Sequence, residues 1–338
     1  MINAKLKPAS GDCIVILGMH RSGTSALSGV LKLLGADLGA NLLEAQDDVN
    51  PKGFWEHAAV VELQDKFLFH IHSGWWDALP LPEGWTTTSE AMNFKNGLMD
   101  IFQQQFSGHA LWAVKDPRTC RLLPLWSEVV AALHVRPNYI LILRHPAEVA
   151  ASLGRRDGFC KTMSSLLWMR NVLDSECDTR GQQRIVMTMD ELLSSWQSVF
   201  LKAESAFGIS FPLHDASVVA RINAFLEPSL RHHTVRDVDA NDPVMALAVE
   251  SYEAILMEDH EKIDRLRIRF EQEVERLRPW LEQTNGLMLK LMAGKASVRA
   301  SEDAAKASKA EVERIKATPS WRITAPLRTI ANYFRNQG

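Results

Sequence analysis

A doubly wound parallel α/β sheet flanked by helices, with a C-terminal helical extension, is the fold this sequence predicts. Three observations predict it. Short continuous apolar runs recur along the first half of the chain, a glycine-bearing turn follows the first of them, and segments of helical period fall between them. The 338 residues suffice for one large core and an appendage.

The first run is residues 13–17 (CIVIL), rich in Ile and Val and ended by Gly18, as expected of a strand buried on both faces. Residues 24–34 then place Leu27, Val30, Leu31 and Leu34 at helical spacing before Gly35 stops the helix. Residues 50–106 carry many Trp and Phe and few turn signals, which predicts a mostly helical insertion with aromatics for the core or for a substrate floor. Residues 110–115 (ALWAVK), 139–143 (YILIL) and 184–189 (RIVMTM) are three more strand-like runs, each leading into helical sequence.

Past residue 235 the pattern changes. Asp242-Pro243 reads as an N-cap with proline in the first turn. Ile263, Leu266, Phe270, Val274, Leu277 and Leu281 predict a long amphipathic helix, kinked near Pro279. Residues 295–316 are Ala-rich and charged, an exposed helix or weak coil. Residues 318–338 hold Trp, Tyr, Phe and arginines without an acid. The expected division is therefore 1–235 as the α/β domain, 236–317 as a helical extension with coiled-coil character, and 318–338 as a basic amphipathic tail.

A net charge of −3 gives no general attraction to nucleic acid, so any anion site must be built locally. Cys13, Cys120, Cys160 and Cys177 have neither metal-ligand spacing nor a disulfide pattern and fit a reducing compartment. No apolar stretch approaches the length of a spanning helix. A cytoplasmic protein that uses no metal is expected.

The segment Gly18-Met19-His20-Arg21-Ser22-Gly23-Thr24-Ser25 lies between a buried strand and a helix start. Backbone N–H groups and the helix N-terminus converge in such a turn and favour a phosphate. Its spacing is that of the P-loop GxxxxGK[ST], with Thr24 in the lysine position and Arg21 as the nearest cation. A plain strand-to-helix turn is the structural alternative.

With these residues the chain resembles the sulfotransferases that use 3′-phosphoadenosine 5′-phosphosulfate (PAPS), in the branch whose loop reads RSGT[ST], here Arg21 to Ser25. The resemblance implies that Arg21, Ser22, Gly23, Thr24 and Ser25 hold the 5′-phosphosulfate. It also implies that Arg144, with Ser152 eight residues on and Arg156 four beyond, holds the 3′-phosphate. Ser152 and Arg156 share one helix face at that spacing. The segment Lys115-Asp116-Pro117 is similar to one whose lysine stabilises the group in flight, a role for Lys115 beside Arg21. The resemblance covers residues 11–210 and departs at Met189, where the family has a tyrosine against the adenine; Trp168 is a substitute to consider.

Sulfuryl transfer needs a base for the acceptor hydroxyl and cations for the charge that develops. Glu56 leads, in a Pro/Gly turn beside Phe54 and Trp55 that would desolvate it, with Glu44 and His57 as alternatives. Trp55, Trp75, Trp76 and Trp85 suit stacking on sugar faces, which points to a glycan or lipid-linked glycan acceptor, although core packing explains each equally well. Residues 320–328 (SWRITAPLR) resemble a tail segment of bacterial surface-polysaccharide glycosyltransferases. Such a tail fits a peripheral inner-membrane contact or a polysaccharide-assembly partner, and the helical extension fits self-association. A P-loop nucleotide kinase and a non-catalytic scaffold are the competing readings.

Overall fold

The computed structural model describes residues 11–44, 53–226 and 242–323. Four parallel strands form one sheet: β1 (Asp12–Leu17), β2 (Leu111–Lys115), β3 (Arg136–Leu143) and β4 (Arg184–Thr188), in the order β2-β1-β3-β4. In the central strand Val15 faces Val114 on one side and Tyr139 on the other.

Both faces of the sheet are covered, and the strands show it residue by residue. Cys13, Val15, Leu17, Tyr139, Leu141 and Leu143 turn to one apolar cluster, while Ile14, Ile16, Ile140 and Ile142 turn to the other. This two-residue alternation of wholly apolar side chains is why the runs read as continuous rather than amphipathic.

The second cluster is closed by α1 (Thr24–Leu33), α7 (Met189–Phe207) and α8 (Ala216–Phe225). Against the first lie α2 (Ala58–His70), α3 (Ser89–Phe106), α4 (Thr119–Ala132), α6 (Lys161–Thr179), α9 (Pro243–Leu256) and α10 (His260–Arg276). A short helix, α5 (Pro146–Asp157), leads from β3 towards α6. The aromatics of the insertion are largely core: Phe102 packs edge-on to Trp112 and Trp126, and Phe106 stacks on Trp112 at 4.3 Å.

The amphipathic segment after residue 260 is two helices rather than one kinked helix. It breaks at Leu277, and α11 (Arg278–Ala317) begins with Pro279 in its first turn. Proline lacks the N–H that would continue the hydrogen-bond ladder, so it opens a helix instead of bending one. One compact unit spans Met1–Asn285, with α9 packed on α5 through Met245, Ala147 and Ala150. A second unit begins at Gly286 and contains most of α11 and then α12 (Pro319–Ile323). Tail residues 324–338 lie outside the described residues. No described helix is long and apolar enough to cross a membrane.

Candidate functional site

β1 and β3 are neighbours at the centre of the sheet, and their connections depart to opposite faces. A crevice outside the carboxyl ends of two such strands is where open α/β sheets take ligands. The glycine loop leaves β1, and the Arg144 segment leaves β3.

The loop is tightly held. The Gly18 N–H donates to Cys120 Sγ at 3.2 Å, and burial lifts that thiol to a pKa of about 11. A Cβ on Gly18 would lie 2.6 Å from the Ile142 carbonyl oxygen at φ +149°, so only glycine fits. Gly18→Ala is therefore expected to cost about 1–3 kcal/mol and displace the loop. Thermal unfolding together with phosphate-ester binding checks this, since a loop that tolerates alanine would leave both unchanged.

Gly23 caps α1 at φ +93° with Met189 packed over it, and Arg21 adopts φ +70°. The helix start has no side-chain cap and no acid in its first turn, the setting in which a helix N-terminus favours an anion. Ser22 is fully buried, and its Oγ has no hydrogen-bond partner among the described residues. Thr24 is buried as well.

The two candidate phosphate segments meet. Arg21 Nε donates to Ser152 Oγ at 2.9 Å, and Arg144 Nη1 donates to the Arg21 carbonyl at 3.2 Å. Arg144 also donates through Nε to Glu148, 2.8 Å away and four residues on. Arg156 pairs with Asp157 at 2.7 Å and sets its guanidinium 5.2 Å from the Trp75 ring centre. Burial lowers the pKa of Arg21, and Arg156 and Arg144 lower it further.

A lysine reaches the loop in space from the adjacent strand. Lys115, the last residue of β2, sends Nζ to Ser25 Oγ at 3.2 Å, to the Phe54 carbonyl at 3.0 Å and to Glu56 Oε1. Glu56 is presented by a turn in which Gly53 and Trp55 both take positive φ, 92° and 64°. The turn is tied down by the Leu43 N–H on the Glu56 carbonyl at 2.8 Å. Glu56 Oε2 is buried with no hydrogen-bond partner among the described residues. Burial raises the Glu56 pKa; Lys115 acts against that rise, and Asp116 adds to it.

Other expected participants lie elsewhere. Trp55 packs on Phe225 and under Lys32, so it is not the group that dries Glu56. Trp168 is fully buried and donates to the Arg144 carbonyl at 3.1 Å, which makes it core support rather than an adenine platform. Trp76 is buried with its Nε1 on Asn285 Oδ1 at 3.1 Å, and Trp85 packs on Phe67. His57 heads α2 beside Gly39, with its pKa lowered by burial, and Glu44 is exposed.

The structure adds three residues that the sequence reading passed over. His20 stands inside the loop and tilts against Trp75. Arg118 joins Asp116 at 2.9 Å and Asp65 at 3.0 Å. Glu148 partners Arg144, four residues earlier. His20 and Arg118 were legible as charge-capable neighbours of the quoted motifs, whereas Glu148 pairs with an arginine that precedes its helix and carried no such signal.

Fold and site together define an α/β protein in which two cationic segments, the glycine loop and the Arg144 segment, meet at the carboxyl ends of β1 and β3. Among solved structures the chain is similar to the sulfotransferase domain of the olefin synthase from Synechococcus PCC 7002, at 17% identity. That likeness covers 73% of this chain and 95% of the other, with a TM-score of 0.44. The sulfotransferase domain from the curacin biosynthetic pathway is similar at 14% identity, covering 70% and 82%, with a TM-score of 0.34. A sulfotransferase from Mycobacterium tuberculosis H37Rv is similar at 13% identity, covering 65% and 77%, with a TM-score of 0.35. No family model matches the chain, and no curated protein matches it. No group of three or more His, Cys, Asp and Glu side chains among the described residues is arranged to hold a metal.

Proposed function

We propose that the chain is a PAPS-dependent sulfotransferase acting on a hydroxyl of a glycan or glycan precursor. One observation carries this reading: the loop and the Arg144 segment are joined through Arg21 and Ser152, while Lys115 bridges the same loop to a buried glutamate. A donor with phosphates at two positions needs two anion subsites in one crevice, and a triphosphate does not. The buried Ser22 Oγ and Glu56 Oε2 fit bound substrate as their missing partners.

In this mechanism Ser22, Thr24, Ser25 and the loop N–H groups hold the 5′-phosphosulfate, and Arg144, Ser152 and Arg156 hold the 3′-phosphate. Glu56 takes the acceptor hydroxyl proton at Oε2 as the hydroxyl oxygen of the acceptor bonds to sulfur. The bond from sulfur to the bridging oxygen breaks, and its electron pair leaves with the phosphate. Lys115 and Arg21 stabilise the charge gathering there.

Calorimetry with 3′-phosphoadenosine 5′-phosphate (PAP, the desulfated donor) and with ATP tests the donor, and labelled PAPS on a glycan panel tests transfer. PAP binding preferred over ATP, with label moving to one acceptor class, is expected. ATP preference would make the chain a kinase-like enzyme, and PAP binding without transfer to any acceptor would make it a scaffold.

A further inference from the structure

His20 is set in the loop between Met19 and Arg21, with its ring centre 4.6 Å from that of Trp75. Its Nε2 is buried and has no hydrogen-bond partner among the described residues. A buried polar group without a partner is destabilising, which marks this nitrogen as one that lacks its hydrogen-bond acceptor. Four cations bear on it, Arg118 at the head of α4, Arg156 of α5, Lys115 at the end of β2 and Arg21 of the loop, and behind them stand the carboxylates of Asp65 and Asp116 on Arg118, Asp157 on Arg156 and Glu56 on Lys115. Burial first, and then those four cations in that order, keeps the imidazole neutral well below the ordinary histidine range.

Trp75 is itself fixed from behind. Arg121 of α4 donates to the Asp77 and Leu79 carbonyls, the latter at 2.7 Å. Arg170 of α6 donates to the Ala78 carbonyl at 2.9 Å. Asn285 Nδ2 donates to the His72 carbonyl at 2.8 Å. Two buried arginines thus grip three consecutive carbonyls just after Trp75. Its indole packs against Phe159 as well as His20, so the imidazole stands on a rigid wall.

We propose that His20 is a direct contact of the bound donor, and that it takes up a proton from solvent as the donor binds. The proposal rests on the PAPS reading of this site. Donor phosphates among Arg21, Lys115, Arg118 and Arg156 offset the cations' repulsion, and a hydrogen bond to a charged donor oxygen offsets the burial that is the larger cause of the ring's neutrality. The imidazolium then donates from Nε2 to a donor oxygen, giving the buried nitrogen its partner and the site a further cation at the moment it holds an anion.

The test is nitrogen-15 NMR of histidine-labelled wild-type protein between about pH 5 and 8, with and without PAP. The His20 signal is assigned by its loss in His20→Gln. Should that variant not fold, the altered ring current in Trp75→Phe identifies the same signal. His20 is expected to be neutral throughout in the free protein and to become protonated within that range, at and below about pH 6.5, with PAP bound. Calorimetry in two buffers of different ionisation enthalpy gives a second readout. Near pH 6.5 the wild type takes up on the order of half a proton more per PAP than His20→Gln. The titration of PAP's own phosphates is common to both proteins and cancels in that difference. PAP binding with His20 still neutral, or equal proton uptake in both proteins, overturns the inference alone. Failure of PAP to bind overturns the sulfotransferase reading and this inference with it.

Discussion

Glu56→Gln is expected to cut sulfuryl transfer by about 10²–10⁴-fold while leaving PAP affinity nearly unchanged. The amide keeps the shape of the side chain and an oxygen for Lys115 Nζ, so the loop contact at Ser25 persists. What is lost is the only property that distinguishes Oε2 chemically, its capacity to accept a proton. The pH profile gives an independent readout. Burial lifts the Glu56 pKa above its ordinary value near 4.5, and only the carboxylate works as base. Activity in kcat/KM should therefore rise with pH through a limb displaced upward from that value, and the limb should be absent from the residual activity of the variant. A variant with full turnover would move the base elsewhere, to Glu44 or His57.

Much of the fold was legible because both faces of the sheet are buried. The apolar runs ending at Leu17, Lys115 and Leu143 are strands to within a few residues, and the turn chemistry at Gly18 and Gly23 located the loop. The Ser152 and Arg156 spacing could be read for a similar reason, since both lie on α5 and a helix fixes which side chains share a face, whereas Arg144 precedes that helix and only the family resemblance tied it to Ser152. Long-range pairings were not legible. Nothing local says that Lys115 would reach back to Ser25, or that two arginines on α4 and α6 would grip the loop behind Trp75. Tryptophans were the weakest signal. Trp75 adjoins the site and Trp76, its neighbour, is buried core, because successive side chains in an irregular segment face different ways and composition does not record which. The break at Leu277 turned on a single proline, whose position in the first turn of a new helix and within a kinked one look alike in sequence.

Lys115→Met is expected to damage both stability and catalysis, and the second substitution separates the two. Lys115 and Glu56 are both buried, and removing one partner of such a pair leaves the other charge uncompensated, a loss of about 3–5 kcal/mol. The protein limits that loss by keeping the carboxyl protonated. Lys115 is the group that opposes the burial-driven rise in the Glu56 pKa, so without it the rise is larger. The folded state then binds a proton at Glu56 that the unfolded state has released, and the variant should lose stability as pH climbs from about 4.5 towards the new folded value. Adding Glu56→Gln removes the stranded charge. Lys115→Met/Glu56→Gln should recover most of the stability lost by Lys115→Met and flatten its pH dependence, which denaturant unfolding at several pH values measures. Catalysis should not recover. The double variant lacks both the cation that meets the loop and the group that takes the proton, so turnover should be no higher than in Glu56→Gln alone. If stability and turnover returned together, the pair would be a structural tie and the base would lie elsewhere. If neither returned, Lys115 would be holding the loop through Ser25 and the Phe54 carbonyl independently of Glu56.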